Sequence, residues 1–318
     1  MVSKAESFLS AGIAREEATL LRKEDSSISC CSDLTTIAQA MGQTKDWAKS
    51  LLIDRRGIVA EAHMSALGLR CVVEPGKHYQ VSVDAGLVEV SASLASRDLE
   101  QCAREAESSS MLLPPHALVD AVWCYDKKVS CGSENILGTN VIFCVEGIGD
   151  NLFLPVIEPT SEALAYYGAL LVNEGDVVQF PAPDKYPIWQ MKIGKNYVDG
   201  YLMTDEGKGF YIEYHHDRPH WHQPLTEDAG GFYLLAKTVE ETSSGGKTQY
   251  HLTGFRLSKG QAVYTRKGAL HCDAGLHGQQ WLVGYQDSAH CSTALIQNAQ
   301  GHRIRLVEQM PNAGITHS

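Results

Sequence analysis

The chain has 318 residues, 44% of them hydrophobic and 20% charged, which excludes a disordered chain and leaves ample length for a buried core. Its 27 Lys and Arg against 38 Asp and Glu give a net charge of −11, so neither nucleic acid nor an anionic membrane surface is expected as a partner. No stretch reaches the ~18 consecutive apolar residues of a membrane span. The first 24 residues carry charge every few positions and lack the apolar run of a signal peptide. Nine cysteines without a CxxC pair fit reduced thiols, and a cytoplasmic location is expected.

In chain order, residues 1–58 read as a helical N-terminal region. Phe8, Leu9, Ile13, Leu20 and Leu21 form one apolar stripe, and Ile37, Ala40, Met41, Trp47 and Leu51 form another. Residues 59–175 read as a mixed α/β region. Strands are expected at 69–73, 78–83 and 87–93, and a helix at 96–108 is expected to start at a Ser96 N-cap. A short helix is expected over His116–Tyr125. Strands at 140–147 and 151–158 are expected to pair as a hairpin, and a helix over Thr160–Val172 to be capped by Thr160. From 176 to 310 the texture becomes short strands separated by Gly-, Asn- and Ser-containing turns, with DGYLMT (199–204) among them. Residues 311–318 are a tail. The fold class is therefore mainly β, a C-terminal barrel preceded by a helical and mixed α/β half.

Eight of the 13 histidines fall within residues 215–290. In His220-Trp221-His222 on an extended strand, both imidazoles face one side and Trp221 faces the other. Two imidazoles so placed can converge on one transition metal. Glu227 follows after four residues, and His271 closes a Gly-x-x-His turn after a later strand. An alternative set, His215-x-Asp217 with His271, has the pattern of the facial triad of non-haem iron oxygenases. Cys272, beside a candidate ligand, reads as a packing residue.

The H-x-H-x4-E segment followed by Gly-x-x-His resembles the two motifs of the cupin superfamily over roughly residues 176–310. The resemblance implies a jelly-roll barrel with one divalent transition metal held by His220, His222, Glu227 and His271. The imidazole-rich set suits Fe, Mn, Ni, Cu or Zn without choosing among them. Asp273 and His277 are candidates for acid–base work, and Tyr214, Tyr250, Tyr264 and Arg266 for substrate binding. The implied activity is Lewis-acid conversion of a small polar chelating metabolite, a hydroxy acid, keto acid or sugar-like compound, of isomerase or lyase type. A non-haem Fe(II) dioxygenase and a non-catalytic cupin-like binding module are the alternatives. A homodimer is expected, and a degenerate second barrel over about 60–160 is an alternative reading of the first half.

Overall fold

A computed structural model describes residues 63–125, 141–181, 185–216, 218–242, 247–284 and 291–309. The expected helices of 1–58 and the tail at 311–318 lie outside them. The first strands are β1 (Met64–Val73), β2 (His78–Ser82), β3 (Gly86–Val90), β4 (Arg97–Asp98), β5 (Ala117–Tyr125), β6 (Val141–Val145) and β7 (Asn151–Leu154). Next come β8 (Val156–Ile157), β9 (Ala169–Asn173), β10 (Val177–Gln179), β11 (Tyr186–Ile193), β12 (Tyr211–His215), β13 (His220–Pro224) and β14 (Gly230–Gly231). The last are β15 (Tyr233–Thr242), β16 (Lys247–Phe255), β17 (Gln261–Thr265), β18 (Leu270–Cys272), β19 (Leu276–Gly284), β20 (Cys291–Asn298) and β21 (Arg305–Glu308). Two helices, α1 (Leu99–Ser109) and α2 (Ser161–Tyr166), complete the regular structure used below.

Seven strands close into a barrel in the order β15-β18-β12-β20-β6-β5-β16, with β16 returning to pair with β15. The β20–β6 pair is parallel, and the other pairings of the ring are antiparallel. A second sheet runs β1-β11-β19-β13-β17-β9, with β14 attached to β19, and a four-stranded sheet runs β3-β2-β10-β4. Strands from both sides of residue 175 enter each of the three.

Side-chain alternation explains the stacking. On β9, β11, β17 and β19 one face supplies Leu171, Trp189, Val263, Trp281 and Val283 to a core shared with the closed barrel. The opposite face supplies Leu170, Ile188, Tyr264 and Leu282 to a second core, completed by Val81, Val178, Leu99 and Ala103 of the small sheet and α1. A sheet covered on both faces must be apolar on both, so its strands read as unbroken hydrophobic runs. The histidine strand β13 lies inside this sheet, between β17 and β19.

Several local expectations are corrected. The 96–108 helix begins at Leu99, and its cap is Asp98, whose Oδ1 accepts from Gln101 N at 2.8 Å; Ser96 instead accepts from Gln179. His116–Tyr125 contains strand β5, which buries Val119 and Ala121 between two barrel neighbours. β6 and β7 do not form a hairpin, because β6 pairs with β5 and β20 while β7 pairs with β21. Thr160 caps α2 through a 3.1 Å bond from Ala163 N, yet the helix stops at Tyr166. Gly168, at φ +73°, turns the chain into β9. DGYLMT is a π-helical turn over Val198–Leu202 that buries Tyr201 and Leu202.

Candidate metal centre

The two facing walls bring four imidazoles together. Strand β13 aims His220 and His222 to one side, their ring centroids 4.3 Å apart, and sends Trp221 into the second core against Phe180. This is the alternation expected of an H-x-H pair on an extended strand. Across from them, β12 presents Tyr211, Glu213 and His215 on its alternate positions, and β18 places His271 opposite Glu213. His215 lies 4.4 Å from His220 and 5.2 Å from His271, centroid to centroid. All four histidines are buried, with no more than 5% of any residue exposed.

Two triads have ligand atoms within 4.8 Å of one another: His215, His220 and His271, and His220, His222 and Asp273. They share His220. Two carboxylates are buried with them, Glu213 at 2% and Asp273 at 5% exposure. Glu213 Oε1 is 3.6 Å from His271 Nε2, and Glu213 Oε2 accepts from Thr293 Oγ1 at 3.3 Å. Asp273 Oδ2 is 3.5 Å from His222 Nε2, and its Oδ1 accepts from the Tyr211 hydroxyl. Tyr233 lies 4.5 Å from the His222 ring, and its hydroxyl shares a 2.9 Å hydrogen bond with Thr265.

Hydrogen bonding orients the rings. His271 Nδ1 faces the Ala269 carbonyl at 3.0 Å, which can only accept, so Nδ1 carries a proton and Nε2 is turned to the cluster. His271 Nε2 and His222 Nδ1 are buried without a hydrogen-bond partner. Burial pushes the His222 imidazole below its ordinary value and outweighs the Asp273 carboxylate, which acts upward. Buried imidazole nitrogens beside buried carboxylates are costly when unpaired, and a divalent cation satisfies both kinds of group. The donor set therefore fits a transition metal.

Glu227 is not brought to the cluster. Its side chain is 85% exposed and lies 3.8 Å from Lys259 Nζ. The loop is held by residues distant in sequence: Asp228 Oδ1 accepts from Gln279 N at 3.3 Å, and β14 pairs with the start of β19. Gly231, at φ +79°, is needed there because a Cβ would sit 1.9 Å from the Gly275 carbonyl oxygen.

Of the remaining candidates, only Asp273 reaches the imidazoles. His277 packs against Gly230, where a Cβ would meet its Cε1 at 2.5 Å, and burial followed by the Lys195 charge lowers its pKa. Tyr264 donates to Glu100 at 2.8 Å, and Arg266 pairs with Glu100 and Glu107 of α1, so both face away from the histidines. Thr265, between them, carries the face of β17 that meets His220. The Tyr250 hydroxyl accepts from Trp123 Nε1 at 2.7 Å inside the barrel wall, and Tyr214 lies edge-on to His216. Burial raises the Cys272 thiol far above its ordinary value, consistent with packing. Asp217 of the alternative triad lies outside the described residues. Sequence reasoning missed Glu213, Tyr211 and Tyr233. The alternation of Y-I-E-Y-H carried the signal for the first two.

Comparison with known proteins finds no family model, curated protein or solved structure that matches the chain.

Proposed function

We propose that this chain is a metal-dependent enzyme of cupin type, its jelly roll built from the closed barrel and the sheet that carries β13. In this reading His220, His222 and Asp273, whose ligand atoms lie within 4.8 Å of one another, hold one divalent transition metal, with Asp273 in place of Glu227 as the carboxylate. His271, its ring centroid 5.0 Å from that of His220, belongs to the other triad, which shares His220. The observation that carries it is the burial of four imidazoles and two carboxylates in one cluster, with His271 Nε2 and His222 Nδ1 lacking hydrogen-bond partners.

When bound, such an ion supplies Lewis-acid polarisation of a chelating hydroxyl or carbonyl oxygen. The chain's own groups would do the rest. Tyr211 fixes the Asp273 carboxylate through Oδ1, so its Oδ2 stays directed at His222. Glu213, held by Thr293, is the acceptor beside His271 for a proton released from substrate. The Tyr233–Thr265 hydroxyl pair offers a neutral contact for a substrate oxygen. The buried Leu235 and Val283, register partners of His271 and His222, exclude bulk water and strengthen each polar contact. The proposed reaction class is isomerase- or lyase-type conversion of a hydroxy acid, keto acid or sugar-like metabolite.

Elemental analysis of protein purified without added metal tests this reading. About one equivalent of a single transition metal is expected, and His220→Ala and His222→Ala are each expected to lose it. A substoichiometric content unchanged by either substitution overturns it. Product formation from a panel of hydroxy and keto acids under nitrogen supports the Lewis-acid reaction. Turnover only with consumption of O2 would replace it with iron-dependent oxygenation.

A further inference from the structure

A second close pair of imidazoles lies apart from the metal cluster. His116 precedes β5 and His251 lies on β16, with ring centroids 3.6 Å apart and ring planes 27° from parallel. The His116 Nδ1 donates to the Pro114 carbonyl at 2.8 Å, and His251 Nδ1 lies 2.7 Å from the Tyr166 hydroxyl of α2. The Tyr166 and His251 ring centroids are 5.9 Å apart, with the ring planes 23° from parallel.

The surrounding charges give this pair little help in holding protons. On β15, Lys237 is the register partner of His251; its Nζ lies 4.7 Å above the Tyr166 ring and donates to Tyr166 O at 2.8 Å. The carboxylate of Glu107 on α1 turns to Lys237 at 3.5 Å and to Arg266. On β5, the nearest strand in sheet register, Leu118 faces His251, and the Asp120 carboxylate accepts from Gln249 at 3.1 Å. Two neutral imidazoles stack favourably, whereas two imidazolium ions at this separation beside a lysine repel one another.

We propose that His116 and His251 form an acid-released latch that holds the segment 110–117 against β16. Burial, and then the charge of His116, push the His251 imidazole below its ordinary value, in keeping with this geometry. A second clasp lies next to it, where Thr253 Oγ1 donates to the Pro115 carbonyl at 2.6 Å. The clasped segment presents Met111, Leu112 and Leu113 to solvent at 99%, 46% and 54% exposure. The latch also borders the histidine cluster: Leu235, two residues from Lys237, pairs with both Thr253 and His271. Acidification therefore loosens an apolar surface segment and the barrel strand behind it.

Histidine 13Cε1 NMR and hydrogen exchange of the full chain, between about pH 8 and about pH 5, test the latch. The His251 ring is expected to take up its proton below the ordinary imidazole value, and closer to it in His116→Phe. Exchange in a peptide covering 116–122, corrected for its chemical pH dependence, is expected to rise roughly tenfold at the acid end. His116→Phe keeps the stack without a titrating group and is expected to hold that rise within about twofold. His116→Gln serves the same purpose if the larger ring does not fit. A His251 titration unchanged in His116→Phe, or equal opening in wild type and the variant, overturns the proposal.

Discussion

At the residue scale, burial separates two glutamates. Glu227 is exposed beside Lys259, whereas Glu213 is buried 3.6 Å from His271. Glu227→Ala is therefore expected to leave metal content and affinity unchanged. Glu213→Gln keeps the shape but removes the charge, and is expected to weaken metal binding by about 10–100-fold, the range seen when groups supporting a ligand are lost. Competition with a chromogenic chelator measures both. A Glu227→Ala protein that loses its metal would restore the motif-based ligand set. His220 belongs to both triads, and its orientation follows from strand alternation alone.

At the element scale, β17 separates structure from chemistry within three residues. Tyr264 and Arg266 point to Glu100 on α1, and Thr265 points to His220 and Tyr233. Tyr264→Phe removes a hydrogen bond to a buried carboxylate and is expected to destabilise the fold by about 1.5–3 kcal/mol. Because that face lies across the sheet from the histidines, metal stoichiometry should not change. Urea unfolding with parallel metal analysis checks both parts, and a loss of metal at unchanged stability would place Tyr264 in the site. The same alternation makes β13 informative: Trp221 anchors the strand in the second core while its neighbours carry the donors.

At the scale of the whole molecule, buried histidines tie stability to pH. Burial lowers His222 and His277 below their ordinary 6.5. The unfolded chain then binds protons that the folded chain refuses. Their contribution to stability is therefore fully present above about pH 6.5 and is lost as the pH falls toward the folded values. Chelator-treated protein is expected to have a lower urea midpoint at about pH 5.5 than at about pH 7.5. His222→Gln, which cannot titrate, should reduce that difference, and an unchanged midpoint in the unsubstituted protein would contradict the burial argument.

Much of this molecule was legible in its residues because a period of two is a local property. The strand-rich second half, the direction of His220 and His222, the cap at Thr160 and the packing role of Cys272 all follow from neighbouring side chains and their chemistry. Pairing partners are not local. His116–Tyr125 reads as a helix until β6 and β16 claim its hydrogen bonds, and the expected hairpin at 147–150 dissolves because β20 and β21 arrive from the far end of the chain. The carboxylates of the site show the same division. Motif spacing pointed to Glu227, but register, set by strands distant in sequence, put Glu213 opposite His271 and Asp273 beside His222. The sequence by itself determined which residue types could bind a metal and which way the histidine strand faces, since both depend on side-chain chemistry and backbone alternation. Only the tertiary structure decided which acids join them, because closing the barrel fixes the register between strands that the chain order leaves free.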